Sequence, residues 1–128
     1  MPSPDCVNAF VAAVREGRYV EAIERFYVES ATMRENLGPA RTGRAALIQH
    51  EETVLGALAR MSTRHVGPVL VDGDRVAINW VFEMTGRDGS VRRLDELALQ
   101  TWRGDRIVEE QFYYDPGQLA AAHRRGAE

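Results

Sequence analysis

Apolar and polar positions recur along this chain with two different periods, and the change from one to the other falls near its middle. Ser3-Pro4-Asp5 reads as a helix start: Ser3 offers an N-cap oxygen, Pro4 suits the first helical position, and Asp5 meets the positive end of the helix dipole. Val7, Phe10, Val11 and Val14 follow at the spacing of one helical face, and Gly17 closes the segment. A shorter helix carries Val20, Ile23, Phe26 and Tyr27 on one side, and residues 31–36 read as a short strand. Asn36-Leu37-Gly38-Pro39 is a turn. A third helix is expected from about Gly43 to Met61, its inward stripe being Leu47, His50, Glu51, Val54, Leu55, Leu58 and Met61. A histidine and a glutamate thus interrupt an apolar row.

From His65 onward the period becomes two. Four strands are expected, divided by turn signals at Asp72-Gly73, Asp88-Gly89 and Arg103-Gly104-Asp105. Val76, Ile78, Trp80, Phe82 and Met84 put bulky groups on one face. Around residues 94–102 one face reads Leu94, Glu96, Ala98, Gln100, Trp102, and the other Asp95, Leu97, Leu99, Thr101. A strand with one wet face should separate apolar from polar cleanly, and this one does not. The economical explanation covers both faces, one with helices and a pocket, the other with a second copy of the chain, two-fold homodimers being the commonest oligomers. Asp115-Pro116 reads as the cap and first residue of a short C-terminal helix. Helices first and antiparallel hairpins after is the α+β plan, and 128 residues suit one domain over 1–128.

Composition removes several classes of function. A net charge of −3 with no basic block argues against a nucleic-acid partner. No apolar run approaches the roughly 20 residues that span a bilayer, and the first residues lack a secretory signal's basic and apolar regions. The expectation is a cytoplasmic protein without a membrane partner. The one cysteine, Cys6, permits no disulfide framework and reads as a small hydrophobe on the first helix. His50-Glu51-Glu52-Thr53-Val54 begins like a zinc-protease helix but lacks the second histidine, so no zinc site follows, and the spacing of His50 and the glutamates specifies no other metal. No phosphate-binding glycine loop or nucleophile elbow occurs, and no cofactor is called for.

The stretch Asp95-Glu96-Leu97-Ala98-Leu99-Gln100-Thr101-Trp102, a turn, then Arg106 through Pro116 resembles the SnoaL-like bacterial proteins of the nuclear transport factor 2-like superfamily. Glu21-Ala22-Ile23, Ala31-Thr32 and Arg41-Thr42-Gly43 before a helix resemble the front half of the same fold. The resemblance implies a cone: a strongly curved, mostly antiparallel sheet with N-terminal helices enclosing a pocket, in a homodimer. It implies no single activity, because the superfamily holds isomerases, cyclases, hydrolases, dehydratases and binders. Ketosteroid isomerases of that superfamily place a carboxylate base at the end of the first strand, where Glu35 stands here. Their two oxyanion donors, a tyrosine and a carboxylic acid, fall on Phe10 and Ala98, neither of which can donate. Losing one such donor costs roughly 10²–10³ in rate, so a ketosteroid isomerase mechanism is not expected.

With the even-numbered face of the late strands turned inward, the pocket receives Glu96, Gln100, Trp102, Glu110, Phe112 and Tyr114, with Trp80, Phe82 and Tyr27 as aromatic wall. Apolar walls with a few convergent polar groups are how small-molecule pockets are built. Carboxylates sharing a dry cavity raise one another's pKa, which turns a carboxylic acid into a proton donor or base near neutral pH. Glu35, Glu96 and Glu110 are the candidates; the alternative is that Glu96 or Glu110 pairs with an arginine such as Arg34 or Arg64. His50 either exchanges protons with them or is a core histidine bonded to a carbonyl. Three functions fit. The first is a cofactor-free isomerase, cyclase or dehydratase acting on a hydrophobic carbonyl or cyclic compound, with Glu35 as base and His50 or Glu96 as its partner. The second is a non-catalytic binder of a hydrophobic metabolite, and the third a structural dimer with a vestigial cavity.

Overall fold

The structure, a computed structural model, describes residues 1–120 and 123–124. Helix α1, Pro4–Arg15, begins as its sequence directs: the Ser3 side chain accepts from the Cys6 amide at 3.2 Å. Its apolar stripe is buried, and Phe10 meets Trp102 edge-on at 5.9 Å. Helix α2, Tyr19–Phe26, buries Tyr19, Ala22, Ile23 and Phe26 and leaves Val20 half-buried. Tyr27 is not helical; it opens strand β1, Tyr27–Glu35, four residues ahead of the expected start. A two-residue strand, β2, Arg41–Thr42, pairs back onto β1.

Helix α3 is shorter than its periodicity suggests, running Arg44–Gly56. Leu58 and Met61, spaced as if on the helix, lie instead on strand β3, Leu58–His65. Spacings of three residues do not distinguish the two periods, and here pairing with a distant strand decides. Strands β4, Leu70–Asp72, β5, Arg75–Gly86, β6, Ser90–Arg103, and β7, Arg106–Tyr113, are the four expected after His65. Helix α4, Gly117–Ala120, is capped as expected, the Asp115 carboxylate accepting from the Gly117 amide at 2.9 Å. A further strand, β8, His123–Arg124, pairs with β6.

The sheet runs β2-β1-β7-β6-β5-β3, with β4 beside β5. The β1–β7 pairing is parallel and the other pairings are antiparallel. Register shifts interrupt β1 between Tyr27 and Thr32, β3 between Leu58 and Arg60, and β6 between Thr101 and Trp102. Such irregularities bend and twist a sheet, and they curve this one around its helices. Arg103-Gly104-Asp105 is a hairpin turn with Gly104 at φ 59°, a conformation open to glycine at little cost. Val76, Ile78, Trp80, Ala98, Trp102 and Ile107 meet the helices in one core. No helix of the described residues is long and apolar enough to cross a membrane.

Candidate functional site

A cavity of about 170 Å³ opens between the concave sheet face and α2 and α3. Alternation puts Trp80, Phe82 and Met84 of β5 on its wall, followed by Leu94 and Glu96 of β6 and Glu110 and Phe112 of β7. From β1 come Tyr27, Met33 and Glu35, from β2 Arg41, and from α3 His50, Glu51 and Val54. Four carboxyl groups therefore face one small, mostly apolar space.

Glu110 is 1% exposed and held from both sides. The Tyr27 hydroxyl donates to one oxygen, and Gln100 Nε2 donates to the other at 2.6 Å. Gln100 is itself oriented by Trp102, whose indole N–H donates to the amide oxygen at 2.9 Å. Burial pushes the Glu110 carboxyl up to about 7, although both donors favour its charged form.

Glu96 is placed differently. It is 7% exposed, and among the described residues its carboxyl has no hydrogen-bond or ion-pair partner. Burial, reinforced by Glu110, Glu35 and Glu51, pushes it up to about 8. At neutral pH it is chiefly a neutral carboxylic acid aimed into the cavity. Burial also raises Glu51. His50 is lowered, first by burial and then by Arg41, against an opposing pull from Glu35, so its imidazole is neutral at pH 7.

Glu35 lies exposed at the mouth, where the Tyr114 hydroxyl donates to it at 3.0 Å. Asn36, at φ 50°, fixes this corner. Its side-chain oxygen accepts from the Tyr114 amide at 3.0 Å, and its backbone oxygen accepts from Gln111 Nε2 at 2.7 Å. The ends of β1 and β7 are thereby tied together. Burial and the Glu35 charge push the Tyr114 phenol up to about 12, so it stays a donor.

A sequence model of the SnoaL-like domain matches residues 7–110. The chain belongs to the SnoaL-like family. A proposed SnoaL-like polyketide cyclase from Mesorhizobium loti is 27% identical, with a TM-score of 0.72 over 86% of this chain and 97% of that one. A Catenulispora acidiphila protein of ketosteroid isomerase-like fold, crystallised with trimethylamine, is 21% identical, with a TM-score of 0.77 over 93% and 92% of the two chains. TerC, co-crystallised with polyporic acid, is 20% identical, with a TM-score of 0.75 over 91% and 93%. No curated protein matches the chain.

This SnoaL-like chain has the cone expected from its sequence: curved, mostly antiparallel, with the N-terminal helices against the concave face. Of the site candidates, Tyr27, Glu35, His50, Trp80, Phe82, Glu96, Glu110 and Phe112 line the cavity. Gln100, Trp102 and Tyr114 are not among the lining residues. Gln100 and Trp102 lie behind the wall, where their bonds orient Glu110. Glu96 and Glu110 make no pair with Arg34 or Arg64. Arg41 and Glu51 were not among the candidates. Glu51 follows His50 on the inward stripe and was legible there; Arg41 sits on a strand too short for any period. Among the described residues no group of three or more acidic, histidine or cysteine side chains is arranged to hold a metal.

Proposed function

We propose that the cavity is a cofactor-free proton-transfer site for a small hydrophobic carbonyl or cyclic compound, with chemistry of the isomerase, cyclase or dehydratase kind. The observation that carries this reading is Glu96, a buried residue whose carboxyl has no hydrogen-bond or ion-pair partner among the described residues, facing the same space as Glu35 and His50. A pKa near the working pH suits a general acid. Glu96 protonates a substrate heteroatom, and Glu35 at the mouth removes a proton from carbon. His50, its pKa lowered and its ring chiefly neutral, is suited to take up a proton rather than to give one, which leaves the acid's role to Glu96.

The electrostatics favour acid-led chemistry. Phe10 and Ala98 supply no donor to an enolate, and those of the four carboxyl groups that ionise oppose negative charge in the cavity. A cationic intermediate meets the opposite environment. None of the four glutamates makes an ion pair among the described residues, whereas a purely binding pocket would tie such groups up. The Mesorhizobium loti relative, a proposed polyketide cyclase, fits the same class of substrate. The protein acts as a dimer joined through the outer sheet face, where Leu97 and Tyr113 stand exposed as register neighbours.

Deuterium exchange at the α-carbon of cyclohexanone and 2-cyclohexenone in D₂O, followed by NMR, tests the chemistry. The wild type should accelerate exchange, and Glu35→Gln and Glu96→Gln should each slow it by about 10²-fold or more. Ketones that bind without faster exchange would instead identify a binding protein.

A further inference from the structure

Much of the polar lining of the cavity consists of carboxyl groups, which accept hydrogen bonds and hold positive charge once ionised. Tyr27 commits its hydroxyl proton to Glu110, so its phenol oxygen has only lone pairs left to offer, and Tyr114, which does not line the cavity, donates likewise to Glu35. Glu35 on β1, Glu51 on α3, Glu96 on β6 and Glu110 on β7 face the space, answered by Arg41 on β2 and the neutral His50 of α3. Glu96 adds an independent observation: the residue is 7% exposed, its carboxyl has no hydrogen-bond or ion-pair partner among the described residues, and it lines the cavity. Its oxygens are reached from the cavity, so a ligand that bonds to them takes the place of solvent there.

Size and aromatic lining narrow the ligand further. About 170 Å³ is close to the roughly 150 Å³ apolar cavity that admits benzene, so it suits one six-membered ring. Trp80, Phe82 and Tyr27 line that space, and aromatic faces attract cations. We propose that the ligand is a small cyclic amine or imine whose basic nitrogen takes the proton of Glu96. The Glu96 O–H bond breaks, an N–H bond forms, and a glutamate–ammonium pair remains beside the aromatic wall. An amine in neutral solution already carries that proton, so the net change on binding is release of the Glu96 proton to solvent. Carboxylate ligands are rejected by like charge. The inference rests on the cavity being a proton-transfer site and deepens it: the protonated heteroatom of the substrate is nitrogen, and the intermediate is a cation that the neighbouring carboxylates favour.

Cyclohexylamine, cyclohexanol and cyclohexanecarboxylate share one ring and differ in head group. Isothermal titration of the wild type at pH 7, in two buffers of different ionisation enthalpy, measures affinity and proton release together. Cyclohexylamine should bind at least about tenfold tighter than cyclohexanol and release about one proton, cyclohexanol should release none, and the carboxylate should not bind. Cyclohexanol binding as tightly as the amine, amine binding without proton release, or no binding of the amine overturns the proposal, and none of these outcomes depends on a variant. Glu96→Gln should abolish proton release and most of the preference for the amine over cyclohexanol. A preference undiminished in that variant, folded by circular dichroism, also overturns it. The ketone exchange measurement is separate: amine preference without exchange removes the catalytic reading alone, and exchange without amine preference removes the nitrogen assignment alone.

Discussion

The Trp102 indole N–H donates to the Gln100 side-chain oxygen at 2.9 Å, and that bond decides which end of the amide faces Glu110. An indole nitrogen can only donate, so the amide must turn its oxygen toward Trp102 and its NH₂ toward the glutamate. Two residues behind the cavity wall thereby present a donor to Glu110, which lines it.

Trp102→Phe should keep the edge contact with Phe10 and remove this bond. Gln100 is fully buried, so its oxygen would be left without a donor, at a cost of about 1–3 kcal/mol. Urea unfolding reads the loss directly. A change under about 0.5 kcal/mol would show that the amide is not fixed by Trp102.

Tyr27→Phe should move the titration of Glu110 upward from about 7, because the lost hydroxyl favoured the charged carboxylate. Side-chain carboxyl carbon shifts followed by NMR against pH would show the displacement. An unchanged or lower midpoint would mean that Tyr27 does not donate to Glu110.

Stability should depend on pH through Glu96 in a defined window. The folded protein holds the Glu96 proton up to about 8, whereas the unfolded chain releases it near 4.5. Between those values the unfolded state binds fewer protons, so the contribution of Glu96 to stability falls as pH rises and is complete only below 4.5. Glu110 adds the same sign between 4.5 and about 7. His50, lowered from 6.5, acts oppositely, its contribution being lost as pH falls through the folded value. The difference in Tm between wild type and Glu96→Gln isolates the first effect. That difference should move steadily against the wild type from pH 4.5 to 8; a flat difference would mean that Glu96 ionises normally.

Leu97→Glu should separate the proposed dimer. Leu97 is 42% exposed and Tyr113, its register neighbour, 39%, an apolar pair on the outer sheet face. Analytical ultracentrifugation should give twice the 14.3 kDa chain mass for the wild type and the single mass for the variant. A monomeric wild type would sink the assignment of this face.

Local physics made much of the fold legible in the residue order. Ser3-Pro4-Asp5 starts α1 because its groups satisfy a helix end without help from the rest of the chain. The turns at Gly73, Gly89 and Gly104 stand where expected because positive φ is a property of the residue itself. The two-residue period of β5 and β6 likewise sorted Trp80, Glu96, Ala98 and Gln100 onto one face, because side chains alternate on any strand. Tertiary structure decided where a pattern fits two periods or where a partner is remote. Leu58 and Met61 suit a helix by spacing and become strand because β5 pairs with them. Tyr27 looked helical and opens β1, and Arg41 enters the cavity only because β2 folds back on β1. The same distinction separates Glu96 from Glu110. Both were legible as inward glutamates, but Glu110 is held by Tyr27, distant in sequence, and by Gln100, while the Glu96 carboxyl has no hydrogen-bond partner among the described residues. Hydrogen-bond partnership and burial depend on which chain segments meet in space, and that is why the chemistry of each carboxyl appears only in the folded molecule.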